Sequence, residues 1–241
     1  MENILEIEGL SKSFTLHHLG KRIQAVRRVN LRVREGEFVG ITGKSGGGKS
    51  TGLRCIYRTC QPREGTILYR SRAYGPIDLA KASERKIIDL RKREIGYVSQ
   101  FLNVMPRTTA KELVRQAMVE MGRNAESAEA EAERLLEHFE LDPALWNSYP
   151  STFSGGEKLR LNIARAMAKR PRLLLLDEPT ASLDEASKKK VKVLIEKLME
   201  EGATILGIFH DLKFMRSLCH REYVMRDGQL WPASTLLSGE E

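Results

Sequence analysis

Eight consecutive residues, Gly43-Lys44-Ser45-Gly46-Gly47-Gly48-Lys49-Ser50, constrain this chain more than any other stretch of it. They match the pattern GxxxxGK[ST], with the apolar run Phe38–Thr42 before them and a helical pattern over about residues 49–59 after them. Glycines let a backbone curl tightly enough for its N–H groups to point inward at phosphate oxygens. The following helix presents its N-terminus, whose partial positive charge attracts anions. In such a loop Lys49 is placed to reach the β- and γ-phosphates of a nucleotide, and the Ser50 hydroxyl to ligate Mg²⁺. Gly43, Ser45, Gly46, Gly47, Gly48, Lys49, Ser50 and Thr51 are therefore the expected nucleotide contacts. An ordinary glycine-rich turn would not need the strand on one side and the helix on the other.

A phosphate loop needs a cation partner, and Leu173-Leu174-Leu175-Leu176-Asp177-Glu178 supplies an apolar strand ending in two carboxylates. Four leucines alone would suit any core strand, and a lone Asp could cap the next element. Beside a phosphate loop, Asp177 is where a Mg²⁺-coordinating carboxylate belongs. Glu178 is then placed to polarise an attacking water as general base.

The rest of the pattern sets these motifs in a fold. Strands are expected at residues 4–10 and 25–33 as an antiparallel flank, then at 38–42, 95–98, 172–177 and 204–209. Helices are expected at 109–121, 125–139, 154–169 and 186–201, and a hairpin over 222–230 turning at Asp227-Gly228. Apolar strands alternating with helices give an α/β fold with a mostly parallel core sheet. Residues 1–241 read as a single domain, with 101–169 as a helical lobe within it.

Composition adds limits rather than identity. No run of eighteen apolar residues occurs and the first residues lack a basic-then-apolar leader, so a cytoplasmic location is expected. The net charge of +8 would suit nucleic acid, an acidic partner or a polyphosphate ligand. The basic cluster Arg85-Lys86 and Arg91-Lys92-Arg93 reads first as a solvated helical face. Cys55, Cys60 and Cys219 are expected to be reduced thiols.

Ser154-Gly155-Gly156-Glu157 fits a capping box, with Ser154 as N-cap. Yet each glycine in a first helical turn costs up to about 1 kcal/mol against alanine, so a plain cap would not select two of them. Close backbone approach to a phosphate would. With Phe153 and Lys158 this segment resembles the LSGGQ signature of ATP-binding cassette (ABC) ATPases. The resemblance covers nearly the whole chain, in family order. It implies a phosphate-loop ATPase fold with an antiparallel flank and a helical subdomain, ATP and Mg²⁺ as cofactors, and hydrolysis. It further implies that Gln100 is the Q-loop glutamine near Mg²⁺, that Ser182-Leu183-Asp184 is the D-loop, and that His210 is the switch histidine at the γ-phosphate. Phe14 stands where the family stacks an aromatic ring on adenine, although core packing on an early strand would also explain it. Gln100 and His210 could singly be a polar loop residue and a helix-start residue. Phe153 and Glu157 depart from the family's Leu and Gln, and Glu157 is expected to cap its helix rather than touch phosphate.

In this family the signature of one subunit completes the phosphate site of another, so a second ABC subunit is the expected partner, identical or related. A two-fold pair satisfies that reciprocity with one surface used twice. The segments 84–92 and 95–102, together with Pro150-Ser151-Thr152-Phe153 and Gly207-Ile208-Phe209-His210-Asp211, are similar to the PhnL-type ATPase subunits of bacterial carbon–phosphorus lyase systems. That similarity implies partners among the C–P lyase complex subunits and a role in phosphonate metabolism, associated with synthesis of α-D-ribose 1-methylphosphonate 5-triphosphate. The rival is the motor of a membrane transporter of lipoprotein-release or macrolide-export type, touching the membrane only through its partner beside Gln100 and the loop 102–107. A nucleic-acid-associated ATPase is disfavoured, since no long heptad repeat, zinc insertion or aromatic-interleaved basic patch occurs.

Overall fold

The buried apolar runs assemble first into one sheet. In a computed structural model describing residues 2–16, 20–99, 107–181 and 183–237, six strands run in a single order. They are β10 (Gln229–Pro232), β9 (Arg221–Arg226), β3 (Phe38–Thr42), β8 (Thr204–Ile208), β7 (Leu173–Asp177) and β6 (Ile95–Val98). All neighbours are parallel except the terminal β9–β10 hairpin. Every residue of β3, β7 and β8 is buried, as strands covered on both faces require.

The four leucines of β7 are explained by that double burial. Leu174 and Leu176 enter one core with Leu113, Leu136, Phe139 and Leu161; Leu173 and Leu175 enter the other with Ile7, Val33 and Leu53. The second core lies under an antiparallel sheet of order β2-β1-β4-β5, built from β1 (Asn3–Leu16), β2 (Lys21–Arg34), β4 (Glu64–Ser71) and β5 (Gly75–Asp78). The flank is thus antiparallel, as expected, but β1 and β2 are 14 residues each and β4 and β5 were not anticipated. Ile67, Tyr69 and Ser71 alternate inward along β4 between exposed neighbours. Pro76 disguises β5, yet an edge strand tolerates it.

The first core is roofed by α3 (Ala110–Val119), α4 (Ala125–His138), α5 (Gly155–Met167) and α6 (Glu185–Glu200). Each begins where a side chain accepts a backbone N–H: Thr109, Asn124, Ser154 and Asp184. Residues 107–169 contain only helices and turns, including 3-10 turns at Pro143–Leu145 and Pro150–Thr152; residues 101–106 lie outside the described part. Helix α1 (Lys49–Ile56) stops short of the expected 59 because Arg58 adopts a positive φ of 63°. Helix α2 (Glu84–Arg93) buries Ile87 and Leu90 and exposes Arg85, Lys86, Lys92 and Arg93, the solvated face read from sequence. Two short helices, α7 (Leu212–Arg216) and α8 (Ala233–Leu237), carried too little periodicity to be expected. The described cysteines are all free thiols, and no helix among the described residues is long and apolar enough to cross a membrane.

Candidate nucleotide site

The loop after β3 and the C-terminal end of β7 line a cleft of about 420 Å³. Its walls include Ser45 to Thr51, Arg54, Ser99, Asp177 and Glu178. Two glycines in the loop admit no side chain. A Cβ on Gly43 (φ 134°) would lie 2.2 Å from the Met225 carbonyl oxygen, and one on Gly48 (φ 96°) 1.9 Å from that of Ala25. The loop is therefore held against β2 and β9 in a form only glycine allows. Within it Lys49 Nζ donates to the Gly43 and Lys44 carbonyls at 2.8 and 3.0 Å. Burial lowers the Lys49 ammonium from its ordinary value, opposed by the nearby charges of Glu178 and Asp177. The loop thus has a cation curled over its own mouth, ready to exchange carbonyl oxygens for phosphate oxygens.

Sequence distance collapses at Asp177. Ser50 Oγ donates to Asp177 Oδ1 at 2.8 Å, joining residues 127 apart. One position on, Glu178 adopts φ 55°, and its N–H donates to the Ile208 carbonyl of β8 at 3.1 Å. Left-handed backbone in a non-glycine residue costs about 1–3 kcal/mol and persists only where its surroundings impose it. Here the kink brings the carboxylate to His210, whose Nε2 lies 2.8 Å from Glu178 Oε1. His210 lies two residues beyond the end of β8 and is half exposed.

These side chains fit a nucleotide with a hard cation. Ser50 and Asp177 offer oxygen ligands, the preference of Mg²⁺. Among the described residues no cluster of three or more His, Cys, Asp or Glu could hold a metal. A cation here draws its remaining ligands from phosphate and water, the usual Mg²⁺ arrangement.

The signature segment is well formed but elsewhere. Ser154 Oγ accepts the Glu157 N–H at 3.3 Å, and Glu157 Oε2 accepts the Ser154 N–H at 2.7 Å, the expected capping box. Ser154 and Gly155 are exposed, and none of residues 154–157 lines the cleft. A Cβ on Gly156 would meet Ser187 Oγ at 3.1 Å, so the glycine lets α5 approach the start of α6. There Asp184 accepts the Ser187 N–H at 2.8 Å, also away from the cleft. Phe14 lies exposed on β1 with Lys12 Nζ 5.1 Å from its ring centroid, which rules out its burial in the core. Gln100 and Ser182 lie outside the described residues.

Two participants escaped the sequence reading. The Tyr97 hydroxyl donates to Asp177 Oδ2 at 2.6 Å, and Arg54 lines the cleft one helical turn beyond Ser50. Arg54 follows the loop at helical spacing and could have been anticipated. Tyr97 could not, because only the pairing of β6 with β7 brings it near.

A glycine-bound loop at the head of a parallel sheet, facing an Asp-Glu strand end and a histidine, defines a phosphate-loop ATPase. The ABC transporter family profile matches residues 26–181. The methionine import ATP-binding protein MetN 2 of Shouchella clausii (strain KSM-K16) is 38% identical over 211 residues, covering 87% of this chain and 60% of that protein. The uncharacterized ABC transporter ATP-binding protein MJ0796 of Methanocaldococcus jannaschii is 34% identical over 231 residues, covering 94% and 95%. The dimeric, post-hydrolysis structure of MJ0796 bound to ADP and Pi superposes with a TM-score of 0.85 at 31% identity, covering 95% of this chain and 98% of that one. The chain belongs to the ABC transporter family and is an ABC-type ATPase with the cassette fold, ATP its nucleotide. It spans 60–65% of the length of the methionine import proteins it matches.

Proposed function

We propose that this chain is the ATPase subunit of a two-subunit motor, each subunit lending its signature turn to the phosphate cleft of the other. One observation carries the reading. The phosphate loop, Asp177 and Glu178 gather at one cleft with His210 against Glu178, while the exposed helix start Ser154-Gly155 lies outside it. Such a helix start has backbone donors and a favourable dipole but no phosphate of its own to meet. A second copy, turned by a two-fold axis, supplies one to each.

Within the cleft Gly43, Ser45 to Ser50 and Thr51 bind phosphate, and Lys49 neutralises it. Ser50 and Asp177 hold the cation, joined by Gln100. Mg²⁺ held there would offset the charge that develops on the phosphate oxygens. Glu178 takes a proton from the attacking water, and His210 orients Glu178 through their 2.8 Å contact. Phe14 offers an exposed ring to adenine, and Asp184 fixes the start of α6 beside the signature of its own subunit.

The driven partner is a membrane-embedded transporter, with this subunit on the cytoplasmic side. The family match and the names of the relatives support that reading over the carbon–phosphorus lyase system expected from sequence. Those names speak of methionine import rather than lipoprotein release or macrolide export. The carbon–phosphorus lyase reading keeps a specific basis in Pro150-Ser151-Thr152-Phe153 and Gly207-Ile208-Phe209, and it is the second proposal. A pull-down from native cells with tagged Glu178→Gln, ATP and Mg²⁺ decides. Integral membrane proteins are expected; soluble phosphonate-pathway enzymes instead would replace the transport reading with the second.

A further inference from the structure

Asp177 is buried, and a buried carboxylate needs donors on its oxygens. Two side chains provide them: Ser50 at Oδ1, 2.8 Å away, and Tyr97 at Oδ2, 2.6 Å away. Ser50 belongs to the phosphate loop and also serves the cation. Tyr97 is thus the donor from outside the loop that stays committed to the carboxylate. Its bond has the short length typical of a hydroxyl on an ionised oxygen.

Tyr97 is itself held through its ring as well as its hydroxyl. Its ring stacks on Tyr57 with centroids 4.9 Å apart and planes 30° from parallel. Tyr57 carries the Arg91 guanidinium 4.8 Å from its ring centroid, and its carbonyl accepts Arg91 Nε at 2.8 Å. Tyr97 does not line the phosphate cleft.

We propose that Tyr97 is a positioning residue for the metal carboxylate, its hydroxyl fixing Asp177 so that Oδ1 faces Ser50 and the nucleotide-bound cation. This rests on the assignment of Asp177 to the cation made above. Groups that orient a ligand from behind typically set metal affinity by ten- to a hundredfold when removed. Because Tyr97 meets the cleft only through the Asp177 carboxylate, loss of its hydroxyl should weaken the cation alone.

The test uses Mn²⁺ as the probe, titrated by electron paramagnetic resonance into the full chain with a non-hydrolysable ATP analogue. Tyr97→Phe should weaken Mn²⁺ about tenfold, and Tyr97→Leu at least as much. Affinity for the analogue in EDTA should match wild type in both. Unchanged Mn²⁺ affinity in Tyr97→Phe, with only Tyr97→Leu impaired, would reduce Tyr97 to a packing ring and overturn the proposal. A parallel loss of metal-free nucleotide affinity in Tyr97→Phe would overturn it too. Asp177→Asn separates the two claims: if it binds Mn²⁺ as wild type does, the cation assignment itself fails.

Discussion

Lys49 sits almost fully buried with its ammonium against two carbonyls of its own loop. That arrangement satisfies the donors but leaves the charge without a paired anion, and burial accordingly lowers its ionisation. A phosphate entering the cleft relieves that deficit. A charge-assisted contact of this kind contributes about 1.5–3 kcal/mol. Lys49→Ala should therefore weaken ATP binding by roughly ten- to a hundredfold, read by titration with a fluorescent nucleotide. Unchanged affinity would remove the phosphate-loop assignment. At this scale the site was largely legible, because Gly43 to Ser50 and Asp177-Glu178 are contiguous motifs whose chemistry needs those residue types. Tyr97 was illegible because its partner is 80 residues away and reached only across a parallel strand pair.

Among elements, the two sheets are joined by a charged clamp. Arg221 at the start of β9 donates to both carboxylate oxygens of Glu37, just before β3, and to the Arg32 carbonyl at the end of β2. Burial pushes the Glu37 carboxyl up, but hydrogen bonds from Arg221 and the Arg34 N–H outweigh it and hold the group below its ordinary value. A depressed carboxyl stabilises the fold above the unfolded value, near pH 4.3, and loses that contribution as pH falls through the folded one. Glu37→Gln should lower stability at neutral pH by about 1 kcal/mol, the half-exposed arginine damping the effect. The gap between variant and wild type in urea melts should close below about pH 4. A gap that persists there would show that packing, not charge, makes the clamp. Elements with strong periodicity or caps, such as β7 and α3 to α6, were readable from sequence. The edge strand β5 was not, since Pro76 argues locally against a strand that tertiary pairing with β4 imposes.

For the whole molecule, everything turns on a surface this chain presents and does not use. The exposed start of α5 and the cleft at the phosphate loop both offer backbone donors to phosphate, yet they are separate within one chain. The relative MJ0796 is dimeric with ADP and Pi bound, at a TM-score of 0.85. Of the two glycines that suggest a shared site, Gly156 has a local purpose, the approach of α5 to α6, and only the exposed Gly155 is left without one. The driven partner was not legible, because no general chemical rule reads the occupant of a surface from its residues. The most direct test is the mass of Glu178→Gln in ATP and Mg²⁺, by size exclusion with light scattering. The account predicts a dimer that reverts to monomer without nucleotide, and a monomer under all conditions once Ser154→Arg is added. A Glu178→Gln chain that stays monomeric in ATP, or a double variant that still pairs, would contradict the shared site.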